Sequence, residues 1–166
     1  MADLTLYELS RQFLADCRAR SWTVATAESC TGGLIAAALT EIPGSSDVVD
    51  RGFVTYSNQA KMELIQVPAE TLEAFGAVSE ETARAMAIGA KAAAKVDLAL
   101  SVTGIAGPGG ATATKPVGLV HFAAAGPDGR VIHHHEVFAG DRSQIRAAAV
   151  LKSLTLGWRM MGLSLA

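Results

Sequence analysis

The turn at residues 26–33 constrains the fold more than any other feature of this sequence. It joins a short apolar run, residues 22–27, to a stretch of helical character at residues 34–39. A strand that passes directly into a helix is typical of α/β folds. A serine at such a turn, here Ser29, projects its hydroxyl toward free backbone N–H groups, where an acyl carbonyl could be attacked and its developing charge stabilised. The turn therefore predicts a fold class and a candidate nucleophile.

Helical and strand-like segments alternate along the rest of the chain. Predicted helices cover residues 5–19, 34–39, 59–65, 80–95 and the segment after Asp141, and predicted strands cover 22–27, 52–56, 97–103, 117–125 and 131–138. Capping signatures at Thr5, Ser79 and Asp141 support three of the helices. The turn at 127–129 predicts a β-hairpin. We therefore expect one three-layer α/β/α domain over residues 1–166, with a mixed β-sheet.

Composition excludes several classes of function. The net charge is −2 and the 14 lysines and arginines are dispersed, so the chain has no basic stripe for a nucleic acid. The N-terminal residues, with an early acid at Asp3, do not form a signal sequence, and no apolar run approaches the roughly 18 residues of a spanning helix. We expect a cytoplasmic protein without a membrane partner, in which Cys17 and Cys30 are reduced thiols.

The balance of apolar and charged residues predicts self-association. Half of the residues are hydrophobic and 18% are charged, whereas soluble domains have about 25% charged residues. In the last helix, Ala147, Leu151, Leu154 and Trp158 are predicted to form one apolar stripe. We therefore expect a homo-oligomer.

A serine nucleophile needs a base, and the histidines are poorly placed to provide it. His121 lies in one predicted strand, and 133–135 lie in the other hairpin arm, where alternation lets only His133 and His135 point the same way. A packed or exposed strand face is therefore favoured over a metal site. Lys61 is the better base, because burial would lower its pKa and leave a neutral amine. Tyr56 could relay the proton or orient the lysine.

Each of these residues also has an ordinary structural explanation. Ser29 could cap the following helix, Tyr56 could pack at the end of a strand, and Lys61 could be a solvated surface amine. Cys30 is a rival nucleophile, although a buried, inert thiol is the commoner state.

A second loop, residues 101–110, runs from a strand into a glycine-rich turn. Its N–H groups could converge on an anion such as phosphate, and a tight structural turn is an equally good explanation. Arg142 and Arg146, one helical turn apart, could add a guanidinium clamp for the same anion or form an exposed salt-bridging face.

Taken together, several segments closely resemble the CinA C-terminal domain family. They are residues 26–33 (TAESCTGG), 56–58 (YSN) with Lys61, 76–79 (GAVS), 101–110 (SVTGIAGPGG), 115–118 (KPVG) and 140–142 (GDR). The resemblance implies a nicotinamide-nucleotide amidohydrolase that converts nicotinamide mononucleotide to nicotinate mononucleotide and ammonia in pyridine-nucleotide salvage. It also implies the stand-alone form, without the N-terminal molybdopterin-binding-like domain of longer members.

The resemblance assigns roles residue by residue. Ser29 becomes the nucleophile, Lys61 its base and Tyr56 the assisting hydroxyl, with oxyanion donors in the turn 30–33. The glycine loop and Arg142 would hold the phosphate and ribose. The expected substrate-binding residues are Glu28, Cys30, Thr31, Gly32, Gly33, Thr103, Gly104, Gly107, Gly109, Gly110 and Arg142. Neither a metal nor a cofactor is expected.

Two alternatives stay open. One is a catalytically silent or regulatory nucleotide-binding module that has kept the pocket. The other is a serine amidase for a different pyridine or amide substrate, which would share the mechanism and differ only in the pocket.

Overall fold

The computed structural model describes residues 4–164, so the early acid at Asp3 lies outside the described residues. The helices are α1 Leu6–Ala19, α2 Leu34–Thr40, α3 Asn58–Ile65, α4 Ala69–Phe75, α5 Glu80–Ala94 and α6 Arg142–Met160, with a 3₁₀ turn at Ser45–Asp47. The strands are β1 Val24–Glu28, β2 Val49–Val54, β3 Leu98–Gly104, β4 Leu119–Ala125 and β5 Val131–Val137. Within this part of the chain, none of the helices combines the length and the apolar character needed to cross a membrane.

The five strands form one mixed sheet in the order β2-β1-β3-β4-β5. Strand β1 pairs in parallel with β2 and β3, while β4 runs antiparallel to both β3 and β5. The side chains of β1 and nearly all of β3 are buried, as expected for strands covered on both faces. The predicted mixed sheet and the predicted hairpin are confirmed.

Alternate residues of β3 contribute to two separate cores. Leu98, Leu100 and Val102 pack with α1, α2 and α6 in the larger core. Ala99 faces the other way, into a core built with α3, α4 and α5. Because side chains alternate along a strand, helices cover both faces of the sheet. The predicted α/β/α arrangement is confirmed.

The predicted caps are confirmed. Thr5 and Asp141 each complete a capping box, and the Ser79 hydroxyl accepts a hydrogen bond from the backbone N–H of Thr82. Helix α3 begins at Asn58 and is capped by the hydroxyl of Ser57. These side chains accept from N–H groups that have no partner within their own helix.

Two predictions about elements are wrong in detail. Strand β2 covers Val49–Val54 and not the predicted 52–56. It ends at Val54 because this residue pairs with Glu28, the last residue of β1. In α6, Ala147 and Leu151 are exposed whereas Leu154 and Trp158 are buried, so the four do not form one continuous stripe. The helix packs on the sheet through a face that includes Ile145 and Ala149, so half of the predicted stripe points to solvent.

Candidate active site

Three loops meet where the parallel strands β1, β2 and β3 end. Because the carboxyl ends of parallel strands share one edge of a sheet, ligand sites of open α/β folds gather there. The loops enclose a cavity of about 210 Å³. It is lined by Ser29, Cys30, Tyr56, Lys61, Ala77, Val78, Thr103, Gly104, Ala106 and Arg142.

The centre of the cavity holds Ser29 and Lys61. Lys61 Nζ lies 3.1 Å from Ser29 Oγ and donates to the backbone carbonyl of Thr55 at 2.9 Å. The lysine is only 1% exposed, and burial lowers its pKa. The two acceptors of the lysine, the Ser29 hydroxyl and the Thr55 carbonyl, are uncharged. Neither of them stabilises the ammonium form of Lys61 as a carboxylate would. The geometry is that of a nucleophile next to its base.

Glu28 holds the turn that carries the serine. Its buried carboxylate accepts from the hydroxyl of Thr31 at 2.6 Å and from the backbone N–H groups of Gly33, Ile35 and Ala36 at 2.9 to 3.1 Å. These N–H groups belong to the start of α2, where a negative charge is favourable. Glu28 was expected to bind substrate, but its oxygens are engaged within the protein, so it positions the turn instead.

The same bonds decide which N–H groups can hold an oxyanion. The N–H of Gly32 donates to the carbonyl of Ser29, and the N–H of Gly33 donates to Glu28. Among the described residues, the N–H groups of Cys30 and Thr31 donate to no backbone carbonyl. Of the expected donors in the turn 30–33, these two are therefore the best candidates.

Arg146, in α6, holds the same turn through its guanidinium. Its guanidinium donates to the backbone carbonyl of Cys30 at 3.1 Å and to that of Thr31 at 3.2 Å. Nε and Nη2 of Arg146 therefore bind the turn, and its part in an anion clamp with Arg142 stays a prediction. Sequence spacing could not reveal this contact, which joins residues more than a hundred positions apart.

Tyr56 does not lie between the serine and the lysine. It is 62% exposed, and its hydroxyl accepts from Arg142 Nη2 at 3.1 Å. Arg142 Nη1 donates to the carbonyl of Gly107 at 2.9 Å. The expected relay through Tyr56 is therefore not seen: Lys61 contacts Ser29 directly, and the Thr55 carbonyl orients the lysine. Tyr56 and Arg142 form the rim of the cavity.

The glycine loop contributes less to the cavity than expected. Thr103 and Gly104 line it, while Gly107 contributes its carbonyl to Arg142, and Gly109 and Gly110 lie on the exposed part of the loop. At Gly104, an added Cβ would lie 2.7 Å from a side-chain carbon of the neighbouring strand, so glycine is needed for close packing there.

Residues 76–79, between α4 and α5, form a wall that residue chemistry alone did not indicate. Ala77 and Val78 line the cavity, and the Thr103 hydroxyl donates to the Ala77 carbonyl at 2.7 Å. Ala77 and Val78 offer only backbone and apolar groups to the cavity. They carry no reactive side chain by which the sequence could have indicated this segment.

Cys30 is poorly suited to be the nucleophile. Burial raises the pKa of its thiol to about 11. At neutral pH it is therefore a thiol and not the reactive thiolate. The hydroxyl of Ser29, with a base in contact, has the better geometry for attack.

The histidines are arranged differently from the prediction. His121 pairs directly with His135 across β4 and β5. Residues opposite each other in an antiparallel pair share a face, so His121 joins His133 and His135. The prediction that only two histidines could point the same way is wrong, because it treated the strands separately. The three lie together and apart from the residues that line the Ser29 cavity.

Comparison with known proteins adds independent information. The sequence model of the family described as CinA C-terminal domain matches residues 6–161 of this chain. The nicotinamide-nucleotide amidohydrolase PncC of Enterobacter agglomerans is 53% identical over 159 residues, which cover 96% of this chain and 97% of that protein. PncC of Escherichia coli K12 is 50% identical, covering 96% of both. A CinA-like protein of Syntrophobacter fumaroxidans is 51% identical over 87% of this chain, which corresponds to 34% of that longer protein.

Solved structures agree with the fold. The competence/damage inducible protein CihA of Agrobacterium tumefaciens superposes with a TM-score of 0.92 at 49% identity, covering 97% of this chain and 99% of that one. A CinA superfamily protein of Klebsiella pneumoniae gives a TM-score of 0.91 at 36% identity, covering 96% and 99%.

Proposed function

This chain belongs to the CinA C-terminal domain family, and we propose that it is an amidohydrolase that converts nicotinamide mononucleotide to nicotinate mononucleotide and ammonia. The relatives named PncC, about half identical over nearly the whole chain, support the substrate class. The observation that carries the proposal is the buried Lys61 amine, 3.1 Å from the Ser29 hydroxyl. This pair is suited to the attack that amide hydrolysis requires.

In the first half of the reaction, Ser29 attacks the substrate carboxamide. The neutral amine of Lys61 takes the hydroxyl proton while Oγ bonds to the carboxamide carbon. The oxygen of the tetrahedral intermediate carries a negative charge, which the N–H groups of Cys30 and Thr31 stabilise. As the carbon–nitrogen bond breaks, the Lys61 ammonium returns its proton to the departing nitrogen. Ammonia leaves and an acyl-serine ester remains.

In the second half, water replaces ammonia. Lys61, neutral again, takes a proton from water as the water oxygen attacks the ester carbon. The same two N–H groups stabilise the second oxyanion, and the lysine then protonates Ser29 Oγ as the ester bond breaks. The product is a carboxylic acid, which ionises at neutral pH, and the enzyme returns to its starting state.

The size of the cavity limits which part of the nucleotide it can enclose. Its volume of about 210 Å³ is below the roughly 300–1,000 Å³ of sites that enclose a drug-sized ligand. The cavity is suited to the pyridine carboxamide, with the ribose and phosphate extending past the rim. Arg142 lies on that rim, and its guanidinium suits a phosphate group.

Ammonia release from nicotinamide mononucleotide by the purified chain tests this function. We expect turnover with the nucleotide, and much slower turnover with free nicotinamide, which lacks the phosphate. No turnover together with calorimetric binding of the nucleotide would favour the regulatory binding module. Turnover of other carboxamides in preference to the nucleotide would favour an amidase with a different substrate.

We further propose that the enzyme acts as a homo-oligomer in pyridine-nucleotide salvage. The described surface carries large exposed apolar side chains, among them Val54, Val137 and Leu151. A partner subunit that packs against either edge of the sheet or against α6 would cover side chains of this kind. Light scattering tests the assembly, and a mass of 17.2 kDa at micromolar concentration would contradict it.

A further inference from the structure

Three imidazoles meet on the face of the sheet that α5 covers. His121 on β4 is directly opposite His135 on β5, and His133 lies two residues away on the same strand. One nitrogen from each ring lies within 4.8 Å of the other two. His121 Nδ1 is 3.0 Å from His133 Nε2. The proposed amidohydrolase mechanism uses none of these residues.

A carboxylate orients one of the rings. Glu80, at the start of α5, places Oε2 3.5 Å from His133 Nδ1. The other nitrogen of that ring, Nε2, therefore points toward His121. Arg84 in turn fixes Glu80 through a bond of 2.8 Å. A histidine that binds a metal through one ring nitrogen commonly donates the N–H of its other ring nitrogen to a carboxylate.

The histidine cluster is accessible from solvent. His135 is exposed. His121 and His135 line an open cavity of about 550 Å³, through which an ion and a fourth ligand could enter from solvent.

We propose that His121, His133 and His135 bind a divalent transition metal ion, for which Zn²⁺ is the best match, with Glu80 orienting His133. Tetrahedral zinc with bonds of about 2.0–2.1 Å separates its ligand nitrogens by about 3.4 Å. The nitrogens here are 3.0 Å apart for one pair and within 4.8 Å for all three, and the rings stack with interplanar angles of 22–25°. Ring rotations that turn the three nitrogens toward one point would complete the site. The ion would cross-link β5, an edge strand, to β4.

Zinc titration of the metal-stripped full chain tests the proposal. With Zn²⁺ alone as the probe, competition against a chromophoric chelator measures affinity. We expect one ion per chain. Outer-shell changes typically weaken metal binding about 10- to 100-fold, so we expect that range for Glu80→Gln and a larger loss for His135→Ala. His135 is exposed, so its replacement leaves the core intact.

His134→Ala is the matched control. His134 lies on the same strand but stacks on Phe122, on the opposite face of the sheet, so we expect unchanged affinity. Zn²⁺ should also raise the melting temperature of the wild type and of His134→Ala, with a much smaller effect on His135→Ala.

Three results would overturn the proposal. The first is no stoichiometric binding of Zn²⁺ at micromolar concentration. The second is binding that His121→Ala and His135→Ala both leave unchanged, which would place the ion elsewhere. The third is a thiolate charge-transfer band after substitution with Co²⁺, which would assign the ion to a cysteine. None of these measurements depends on amidase activity.

Discussion

Lys61 Nζ lies 3.1 Å from Ser29 Oγ, although the two residues are 32 positions apart in the chain. Parallel pairing brings them together, since Glu28 at the end of β1 aligns with Val54 at the end of β2. The chain that leaves each strand therefore begins at the same edge of the sheet. The serine lies in the first residues beyond β1, and the lysine lies in the first turn of the helix beyond β2.

Removing either member of this pair should nearly abolish catalysis. We expect Ser29→Ala and Lys61→Ala each to lower kcat by several orders of magnitude while the nucleotide still binds, because both act mainly in the transition state. The double variant should be little worse than either single one, since groups that act as a unit are strongly non-additive. Steady-state ammonia release and calorimetry measure the two effects, with the exposed Ser46→Ala as control.

The competing nucleophile has an equally direct test. Cys30→Ala should retain catalysis, because burial keeps the Cys30 thiol protonated at neutral pH. An inactive Cys30→Ala together with a nearly normal Ser29→Ala would reverse the assignment and make the thiolate the nucleophile.

The rate should rise with pH. Only the neutral amine of Lys61 can accept the serine proton, and its population grows as pH passes the pKa of the lysine. Burial lowers that pKa, so kcat/KM should reach half its maximum below the roughly 10.4 of free lysine. A pH profile of kcat/KM in the wild type measures this value. A rate that falls over the same range would mean that the ammonium form is the active one.

Tyr56→Phe should have a modest effect. The phenol bonds Arg142 and not the lysine, and a single hydrogen bond contributes about 0.5–1.5 kcal/mol, or roughly tenfold at most. We expect the change mainly in KM, because the contact supports the rim where the phosphate would lie. A loss in kcat as large as that of Lys61→Ala would instead indicate that Tyr56 relays the proton.

Glu28→Gln should reduce stability and activity together. An amide has one acceptor oxygen where the carboxylate has two, so N–H groups at the start of α2 lose their partner. Leaving such a buried group unsatisfied costs about 1–3 kcal/mol, and each kcal/mol lowers the melting temperature of a chain of this size by about 2–4 °C. Calorimetry and kcat measure the two losses. Glu41→Gln, at an exposed position, should change neither.

Local signals predicted most of the elements and pointed to Ser29 and Lys61, which lie in contact. Alternation and capping residues identified the hairpin and three helix starts, because these depend on neighbours within a few positions. A serine between strand and helix, followed by a lysine near the next strand end, sufficed to propose the pair. Helix α4 was missed, because seven residues provide too little periodicity.

Contacts between distant segments could not be predicted. The sequence does not show that Arg146 reaches the Cys30 carbonyl or that Tyr56 meets Arg142, since both contacts depend on how α6 lies across the sheet. The histidine cluster depends on the register of β4 and β5, which determines that His121 faces His135. Pairing register and helix placement are tertiary properties, and residue spacing along one strand does not contain them.

Helix α2 has seven residues, and an isolated helix below about 12 residues is unstable in water. Its first N–H groups depend on a carboxylate that belongs to a central strand. The helix and the turn that carries Ser29 therefore depend for their stability on a side chain of that strand. Loosening of the contacts between Glu28 and α2 would displace Ser29 from Lys61 even where the sheet stays paired.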